Sequence, residues 1–445
     1  MPKSFPRKKP SRPLPEPFLT SIDDLAHDGR GVAHRDGKTV FIAGALPGEE
    51  IVCRYTARHS KYDEGEAETI LNASPERVEP HCAHFGLCGG CSLQHLHADR
   101  QLANKQDWLL DNLSRIGKIQ PQQVLQPLVG PHWGYRRKAR LGVKYVTKKG
   151  RVLVGFRERN APYLADLQRC EVLHPRVGGL LEPLGLLVGN LSIAKRVPQI
   201  EVAVGDEAIA LSFRVLDLPT DDDKAQIMAF GRQHELQIYL QPGGNPTTSL
   251  LWPEQGELVY RLPNHNLELA FLPYHFVQIN ADINRPLVDR TIALLELRAT
   301  DRVLDLFCGL GNFTLALARH SAEAVGVEGD KDLVAWAERN AVRNRIDNAR
   351  FFAADLSQDL SDAPWLQQGY DKILLDPPRL GAAALIPQLA QLGAQRIVYV
   401  SCHPATLARD AGELVNRFGY RLISAGVMDM FPHTTHVESI ALFER

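Results

Sequence analysis

The spacing of apolar and polar positions changes along the chain, and the change separates two kinds of structure. In residues 14–72, short apolar runs such as 39–42 and 50–53 are punctuated at close intervals by glycines and by Asp-Gly and Pro-Gly pairs. This spacing predicts a small all-β module. An OB-like β-barrel of five strands, the kind that binds oligonucleotides, fits the pattern.

A second β-rich region follows to about residue 273, with an amphipathic helix predicted over residues 98–116. From residue 273 onward, apolar strands alternate with helical segments. Strands are predicted over 302–307, 324–328, 351–354, 372–376 and 396–401, and helices over 313–319, 333–343, 383–392 and 406–418. This alternation predicts an open, mostly parallel α/β sheet, so the chain is expected to be a multidomain protein.

The composition is that of an ordinary globular protein, with 445 residues, 44% hydrophobic and 23% charged side chains and a net charge of −1. No long apolar run is present, so no membrane span is expected. Residues 1–13 form a basic, proline-rich tail without an apolar stretch behind it, which argues against a secretory signal and for a cytoplasmic protein. Such a tail is either a solvated disordered segment or one that contacts phosphates.

One stretch departs from this balance of charge. Residues 135–159 carry a single acid, Glu158, among many basic side chains, which are Arg136, Arg137, Lys138, Arg140, Lys144, Lys148, Lys149, Arg151, Arg157 and Arg159. Because apolar residues alternate with these cations, the pattern predicts β-strands with one apolar and one basic face. A solvated charged face is the alternative, but strands so one-signed favour a nucleic-acid-binding surface.

A glycine-containing turn follows the first strand of the α/β region, in Val303-Leu-Asp-Leu-Phe-Cys-Gly-Leu-Gly-Asn-Phe313. Its glycines let the backbone approach a ligand closely. Glu328 ends the next strand about twenty residues later, where a carboxylate accepts hydrogen bonds from ribose hydroxyls. Asp305, Asp355 and Asp376 also stand at strand ends. These carboxylates are therefore expected along the carboxyl edge of the sheet, which is the ligand crevice of open α/β folds.

Cys402 stands between the apolar strand 396–401 and a predicted helix with Pro404 in its first turn. The partial positive charge at a helix N-terminus favours the thiolate, the form that attacks electrophiles. A free cysteine is more often an inert core residue, so position alone does not make Cys402 a nucleophile. Cys308, inside the glycine turn, is assigned to packing, and Cys53 to the core of the β-module.

Cys82, Cys88 and Cys91 lie on one loop whose Gly89-Gly90 pair permits a tight turn, and Cys170 is a distant candidate for a fourth thiol. Without a secretory signal, metal ligation is a better interpretation than disulfides. Four thiolates suit either a structural zinc or an iron–sulfur cluster. Three cysteines on one loop and one remote cysteine favour a [4Fe-4S] cluster, since zinc ribbons usually present two C-x2-C pairs.

In combination these motifs resemble the bacterial RNA uracil-C5 methyltransferases over nearly the whole chain past the tail, and most closely the members that act on 23S ribosomal RNA. The resemblance is carried by the cysteine set, by the D-L-F-C-G-L-G-N-F stretch, by Y-V-S-C-x-P-A-T-L-A-R-D around Cys402 and by H-V-E-S around Glu438. The order of glycine turn and acids, followed by Asp376-Pro-Pro-Arg379, is similar to that of the S-adenosylmethionine-dependent methyltransferase fold.

The resemblance implies a domain order. Residues 1–13 are a basic disordered tail, 14–72 a TRAM-like RNA-binding β-barrel, 73–272 a central β-rich domain with the iron–sulfur cluster and basic RNA-binding strands, and 273–445 a Rossmann-like α/β methyltransferase domain.

The resemblance also implies the site residues. Cys402 matches the nucleophile that adds to C6 of uracil, and Glu438 matches the base that removes the hydrogen from C5. Contacts with S-adenosyl-L-methionine are expected at Gln278, Phe307, Asn312, Glu328, Asp355 and Asp376, and the [4Fe-4S] ligands are expected to be Cys82, Cys88, Cys91 and Cys170. This chain departs from the family pattern at His403, where the family often has asparagine, and at Asp355, where some members have asparagine.

The implied partner is 23S rRNA, free or in a pre-ribosomal particle, and the chain is expected to act as a monomer without a membrane. The target uracil must leave its base stack to reach Cys402, so base flipping is expected. The alternatives are a methyltransferase acting on another ribosomal or transfer-RNA uracil, a Rossmann-like domain for another nucleotide, and a non-catalytic RNA-binding assembly factor. Cys402 and Glu438 argue against a pure binder, which needs neither.

Overall fold

The computed structural model describes residues 14–358, 360 and 363–445. The basic tail predicted over residues 1–13 lies outside the described residues. The strands in the described part are β1 (Phe18–Ser21), β2 (Asp24–Leu25), β3 (Gly31–Arg35), β4 (Lys38–Ala43), β5 (Glu50–Arg58), β6 (Tyr62–Asn72), β7 (Gln123–Val124), β8 (Lys138–Val146), β9 (Arg151–Gly155), β10 (Gln199–Val204), β11 (Ile209–Arg214), β12 (Gln237–Gln241), β13 (Ser249–Trp252), β14 (Leu258–Leu262), β15 (Leu267–Phe271), β16 (Arg302–Leu306), β17 (Glu323–Glu328), β18 (Ala349–Ala353), β19 (Lys372–Leu375), β20 (Arg396–Ser401), β21 (Arg421–Met428) and β22 (Glu438–Glu444). The α-helices are α1 (Ala98–Asn112), α2 (Pro175–Gly178), α3 (Leu181–Asn190), α4 (Asp221–Gln233), α5 (Ala281–Leu295), α6 (Thr314–Ala318), α7 (Lys331–Arg343), α8 (Ile386–Gln391) and α9 (Pro404–Asn416).

One compact unit comprises the described residues up to Pro80 together with Ser92–Arg100. Its sheet has six strands in the order β1-β5-β6-β4-β3-β2, one more than the five predicted, because the two-residue β2 pairs with β3. Alternate residues of β4 and β5 point inward and pack Val40, Ile42, Ile51 and Cys53 into one apolar core. Closure of this sheet into a TRAM-like barrel stays a prediction.

The second unit comprises His81–Cys91 and Gln101–Arg445, so the cysteine loop belongs to it. Its central sheet has the order β13-β12-β11-β10-β8-β9. Helix α4 connects the parallel strands β11 and β12, and its capping box at Thr220 and Asp223 starts the helix where the sequence has three consecutive aspartates. Leu184 of α3 and Ile227 of α4 are fully buried in the core of this sheet.

The second large sheet of this unit has eight strands in the order β18-β17-β16-β19-β20-β22-β21-β7. The first five are parallel, as predicted, and their bounds differ from the predicted ones by no more than a few residues. The sheet as a whole is mixed, because β22 runs antiparallel to both β20 and β21. The edge strand β7 comes from residues 123–124, far ahead of the other strands in sequence.

Candidate active site

The carboxyl ends of the parallel strands form a crevice at the centre of the eight-stranded sheet. Strand β16 lies between β17 and β19, so the strand order reverses there. Open α/β sheets bind ligands at this reversal. Glu328 ends β17, Asp305 is next to last in β16, and Asp376 directly follows β19. Three of the predicted carboxylates therefore share this edge of the sheet.

The turn after β16 has the backbone geometry that its glycines predict. Gly309 and Gly311 have φ angles of +55° and +86°, in the region that favours glycine. Phe307 also has a positive φ of +68°, which costs a residue with a side chain about 1–3 kcal/mol. The N–H of Phe307 donates a 2.8 Å hydrogen bond to the carbonyl of Val327, which fixes the turn against β17. A Cβ atom added at Gly309 would meet nothing within 4 Å, so the backbone there borders open space.

Glu328 is held in place by two backbone groups. The N–H of Gly309 donates to its Oε2 atom at 3.1 Å, and the N–H of Asp330 donates to its Oε1 atom at 3.1 Å. Each oxygen retains capacity for a further donor, because a carboxylate accepts about four hydrogen bonds. The half-buried carboxylate can therefore bind a ligand diol without losing its own support.

Asn312 is part of a polar cluster that the sequence did not reveal. Its side-chain amide exchanges two hydrogen bonds with Asn284 of α5, at 2.9 and 3.0 Å. The hydroxyl of Tyr260 adds a third, donated to Asn312 Oδ1 at 3.1 Å. This network ties the glycine turn to α5 and β14, and it limits which Asn312 atoms face a ligand.

Asp305 and Asp376 are carboxyls whose surroundings favour the neutral form. Burial raises the pKa of Asp305 to about 8 and that of Asp376 to about 7. The Thr314 hydroxyl donates to Asp305 Oδ2, whereas Oδ1 is buried without a hydrogen-bond partner in the described structure. Gln278 Nε2 lies 3.5 Å from Asp376 Oδ2, which brings the predicted Gln278 to the crevice.

Asp355 differs from these carboxyls because it is exposed. Ser357 donates to its Oδ1 atom from both the hydroxyl, at 2.7 Å, and the backbone N–H, at 3.0 Å. These hydrogen bonds lower the pKa of Asp355 and keep it ionised. It lies two residues past β18, at the outer end of the same sheet edge.

Cys402 lies between β20 and α9, as the sequence predicts, and is half-buried. His403 is the N-cap of α9, and its Nδ1 atom accepts a 3.4 Å hydrogen bond from the N–H of Thr406. Asparagine is among the preferred N-cap residues, so histidine here performs the same capping task with a ring nitrogen. The Thr406 hydroxyl donates to the carbonyl of Arg379 at 3.2 Å, which joins this helix start to the loop after β19.

The electrostatics at Cys402 differ from the prediction based on the helix N-terminus. Burial, followed by the charges of Glu438 and Asp376, raises the pKa of the Cys402 thiol to about 11, and Arg379 lowers it only in part. The free protein therefore holds a thiol at neutral pH rather than the expected thiolate. Desolvation and two acidic neighbours outweigh the partial charge of the helix.

Glu438 begins β22 and adjoins the same crevice. Burial and the neighbouring Asp376 raise its pKa to about 8, while Arg379 and Lys105 act in the opposite direction. Glu438 and Asp376 thus act on the ionisation of Cys402, and Asp376 acts on that of Glu438, so the structure brings together three side chains that lie far apart in sequence. Arg379 is a cation that acts on both Cys402 and Glu438. Its position in the Asp376-Pro-Pro-Arg379 motif was a signal that could have identified it.

The predicted cluster ligands are in one region of the second unit. Cys88 and Cys170 pack against the core of the central sheet. Burial raises the pKa of the Cys170 thiol to about 11, with smaller contributions from Cys88 and Cys82. The N–H of Gly90 donates to Cys88 Sγ at 3.4 Å. Within residues 14–358, 360 and 363–445, however, no three His, Cys, Asp or Glu side chains are arranged to hold a metal ion.

The basic segment lines a groove of about 950 Å³ between β8, β9 and the following loop, with Lys144, Tyr145, Lys149, Arg157 and Tyr163 among its lining residues. Several cations of the segment are paired with acids from outside it. The pairs are Arg137 with Asp206, Arg140 with Glu201, and both Lys149 and Arg151 with Asp166. The excess of positive charge on this surface is therefore smaller than the linear sequence indicates.

Across the described residues, no helix is both long and apolar enough to cross a membrane. Residues 257–445 match the family model described as tRNA (Uracil-5-)-methyltransferase. The chain is 54% identical over 436 residues to the 23S rRNA (uracil(1939)-C(5))-methyltransferase of Alkalilimnicola ehrlichii, covering 98% of each protein. It is 55% identical over 442 residues to the protein of the same description from Nitrosococcus oceani, covering 99% of this chain and 98% of that protein.

A solved structure with a similar fold is the tRNA (uracil-54, C5)-methyltransferase of Pyrococcus abyssi in complex with S-adenosyl-L-homocysteine. The TM-score is 0.72 at 25% sequence identity, and the match covers 96% of this chain and 99% of that one. The eight-stranded sheet is therefore the Rossmann-like sheet of a methyltransferase.

Proposed function

Since this chain belongs to the RNA uracil-C5 methyltransferase family, we propose that it transfers a methyl group from S-adenosyl-L-methionine to C5 of one uracil in 23S rRNA. The observation that carries the proposal is the meeting of Cys402, Glu438 and Asp376 beside the strand-order reversal of a methyltransferase sheet. A nucleophile, a base and a cofactor crevice are what this reaction requires.

The chemistry explains the need for a thiol. C5 of uracil is a poor nucleophile toward a methyl sulfonium. When the Cys402 thiolate forms a bond to C6, the C5–C6 π electrons move toward the carbonyl oxygen at C4, and C5 becomes electron-rich. C5 then takes the methyl group, and the sulfonium–methyl bond breaks. Covalent catalysis thus divides one difficult step into easier ones.

Glu438 serves the last step as general base. After methyl transfer, C5 carries both a hydrogen and a methyl group. The Glu438 carboxylate removes the hydrogen as a proton, the C5–C6 double bond re-forms, and the thiolate leaves. The raised pKa values of Cys402 and Glu438 mean that both are protonated in the free protein at neutral pH. A cationic methyl donor in the crevice favours ionisation of both groups, which links activation to cofactor binding.

S-adenosyl-L-methionine supplies the methyl group, and the crevice residues fit its parts. Glu328 offers carboxylate oxygens to the ribose hydroxyls, and the open backbone at Gly309 permits close approach. Asp376 and Gln278 stand beside Cys402, where the sulfonium has to lie for transfer. Phe307, Asn312 and Asp355 complete the proposed set. An aspartate at position 355 still accepts a hydrogen bond from an adenine amino group, as asparagine would.

The RNA is proposed to bind along the basic groove, with the target uracil flipped into the crevice. Lys144 and Arg157 supply phosphate contacts there, and Tyr145 and Tyr163 supply rings on which bases stack. Residues 14–72 are proposed as a TRAM-like RNA-binding module. Its cations Arg30, Lys38, Arg54 and Arg58 pair with carboxylates, which leaves Lys61 as an exposed cation of this module.

The cysteines are proposed to hold a [4Fe-4S] cluster through Cys82, Cys88, Cys91 and Cys170. The chemistry of the donors supports this, because Cys82 acts electrostatically on the thiols of Cys88 and Cys170 and none of the four is in a disulfide. Backbone N–H groups also point at two of the sulfurs, which is how proteins support cluster ligands. The cluster would serve folding or RNA binding, since methyl transfer needs no redox step.

The chain is further proposed to act as a cytoplasmic monomer on 23S rRNA, free or in a pre-ribosomal particle. The decisive test is mass spectrometry of ribosomal RNA from a strain lacking this protein. We expect loss of 5-methyluridine at the uracil equivalent to position 1939 and its return on complementation. Unchanged methylation there, with a loss at another uracil, would contradict the proposed substrate.

A further inference from the structure

Lys105 of α1 is a buried cation that sequence reasoning did not single out. Its side chain is fully buried, and its Nζ atom lies 2.7 Å from Asp429 Oδ1. The same ammonium donates a 2.9 Å hydrogen bond to the carbonyl of Phe431. Lys105 thus holds two points of the segment that connects β21 to β22, and Glu438 is the first residue of β22.

Stability alone does not explain such a pair. Removing an ammonium and a carboxylate from water costs several kcal/mol, and apolar side chains of similar volume often stabilise a fold as well or better. A buried ion pair specifies geometry more strictly than apolar packing, because its directional hydrogen bonds are satisfied in one arrangement only.

A second contact from α1 holds the same segment. Gln101, one turn before Lys105, accepts a 2.9 Å hydrogen bond from the N–H of His433, and its Nε2 atom lies 3.3 Å from the His433 ring. His433 has a φ of +65°, and its ring stacks on Trp133 with 3.9 Å between centroids. Helix α1 therefore makes hydrogen bonds to a segment that includes a strained residue, and the path of the chain toward Glu438 depends on this helix.

We propose that Lys105 is a positioning residue for Glu438: through Asp429 and Phe431 it fixes the segment leading into β22, so that the carboxylate faces the adduct formed at Cys402. This inference rests on the proposed function and adds a residue to it. The charged groups that act on Glu438 are Asp376, Arg379 and Lys105, and Glu438 in turn acts on the thiol of Cys402. Lys105 and Arg379 favour the ionised base, whereas burial and Asp376 oppose it.

The test compares the double variant Lys105→Met/Asp429→Leu with wild-type protein. Replacing the whole pair by apolar side chains avoids an unpaired buried charge, so we expect a melting temperature equal to or above that of wild type. The kcat should fall about ten- to a hundredfold, because the base is no longer aligned. The KM for S-adenosyl-L-methionine should stay unchanged, and a denaturation-resistant protein–RNA adduct should accumulate.

A pair of single variants gives a signature that a purely structural role does not produce. In Lys105→Met the loss of a cation should move the pH midpoint of adduct release upward. In Asp429→Asn the Lys105 ammonium loses the carboxylate that raises its pKa, so its positive charge is retained less well and the midpoint should also move upward. For each variant, the rate of adduct release is measured as a function of pH in single-turnover reactions with a radiolabelled 23S rRNA fragment.

Wild-type kcat and no adduct in the folded double variant would overturn the proposal, as would single-variant midpoints that stay at the wild-type value. Absence of any Cys402-linked adduct in Glu438→Gln is a different result. It would overturn the proposed mechanism itself, and with it the premise of this inference.

Discussion

The Ser439 hydroxyl donates a 3.2 Å hydrogen bond to the backbone carbonyl of Ser401 across the β20–β22 ladder. These two residues are also register partners at the last pair of that ladder. Cys402 and Glu438 come directly after and directly before this pair. The proposed nucleophile and the proposed base therefore lie at the same end of the sheet, and the alignment of β22 on β20 sets their separation.

We expect Ser439→Ala to weaken this alignment. Loss of one buried hydrogen bond should lower the free energy of unfolding by about 1 kcal/mol. It should also reduce kcat with little change in KM. The matched control is Ser424→Ala in β21, because the buried Ser424 hydroxyl has no hydrogen-bond partner in the described structure. Chemical denaturation and steady-state kinetics check both variants, and equal effects in the two would contradict the assigned role.

Cys402→Ala should abolish methylation and any covalent RNA adduct, since it removes the thiol that is proposed to add to C6. Incorporation of labelled methyl groups into a 23S rRNA fragment measures the effect. Cys53→Ala, which removes a fully buried thiol from the N-terminal unit, is the matched control and should retain activity. Full turnover by Cys402→Ala would rule out the covalent mechanism.

Glu438→Gln should trap the methylated RNA on Cys402, because the amide cannot take the C5 proton. We expect turnover to fall about a hundredfold or more, with a stable adduct on a denaturing gel. The control is Glu444→Gln, which removes the same charge at the opposite end of β22, far from the crevice. This variant should turn over normally. An inactive Glu438→Gln variant that forms no adduct would contradict the proposed mechanism, in which Glu438 acts only after methyl transfer.

The pH dependence of Cys402 alkylation tests the electrostatics of the site. The folded-state pKa is raised to about 11, so iodoacetamide should react slowly at pH 8 and faster as pH rises toward that value. Glu438 contributes to the raised pKa, so Glu438→Gln should shift the reaction to lower pH and accelerate it about threefold near pH 9.5. Peptide mapping by mass spectrometry separates Cys402 from the other cysteines. A shift in the opposite direction would contradict the interaction.

The prediction of a [4Fe-4S] cluster is tested by measuring the metal and sulfide content of the protein. Anaerobically purified protein should contain iron and sulfide and absorb light in the visible range, as [4Fe-4S] proteins do. Cys88→Ser should reduce the bound iron, whereas Cys53→Ser should leave it unchanged. Stoichiometric zinc without iron or sulfide would overturn the cluster assignment and favour the structural-zinc alternative.

Local sequence patterns predicted the secondary structure of the catalytic sheet well. The strand Arg396–Ser401 was predicted with its observed bounds, and Pro404 begins α9 as expected of proline in a first turn. Apolar runs and glycine turns are short-range features, so they are readable without a three-dimensional context. The mixed character of the sheet was not readable, because antiparallel pairing of β22 and edge pairing of β7 join segments far apart in sequence.

The same division applies to the site. The sequence predicts which residues carry the chemistry, because the motifs around Cys402, Glu438 and the glycine turn are contiguous stretches. How those residues ionise depends on the folded chain. It buried Cys402 beside two carboxyls and thereby favoured the thiol, and it supplied Lys105 from α1 to the segment before Glu438. Burial and charge pairing depend on neighbours that are distant along the chain, and they therefore emerge only when the chain is folded.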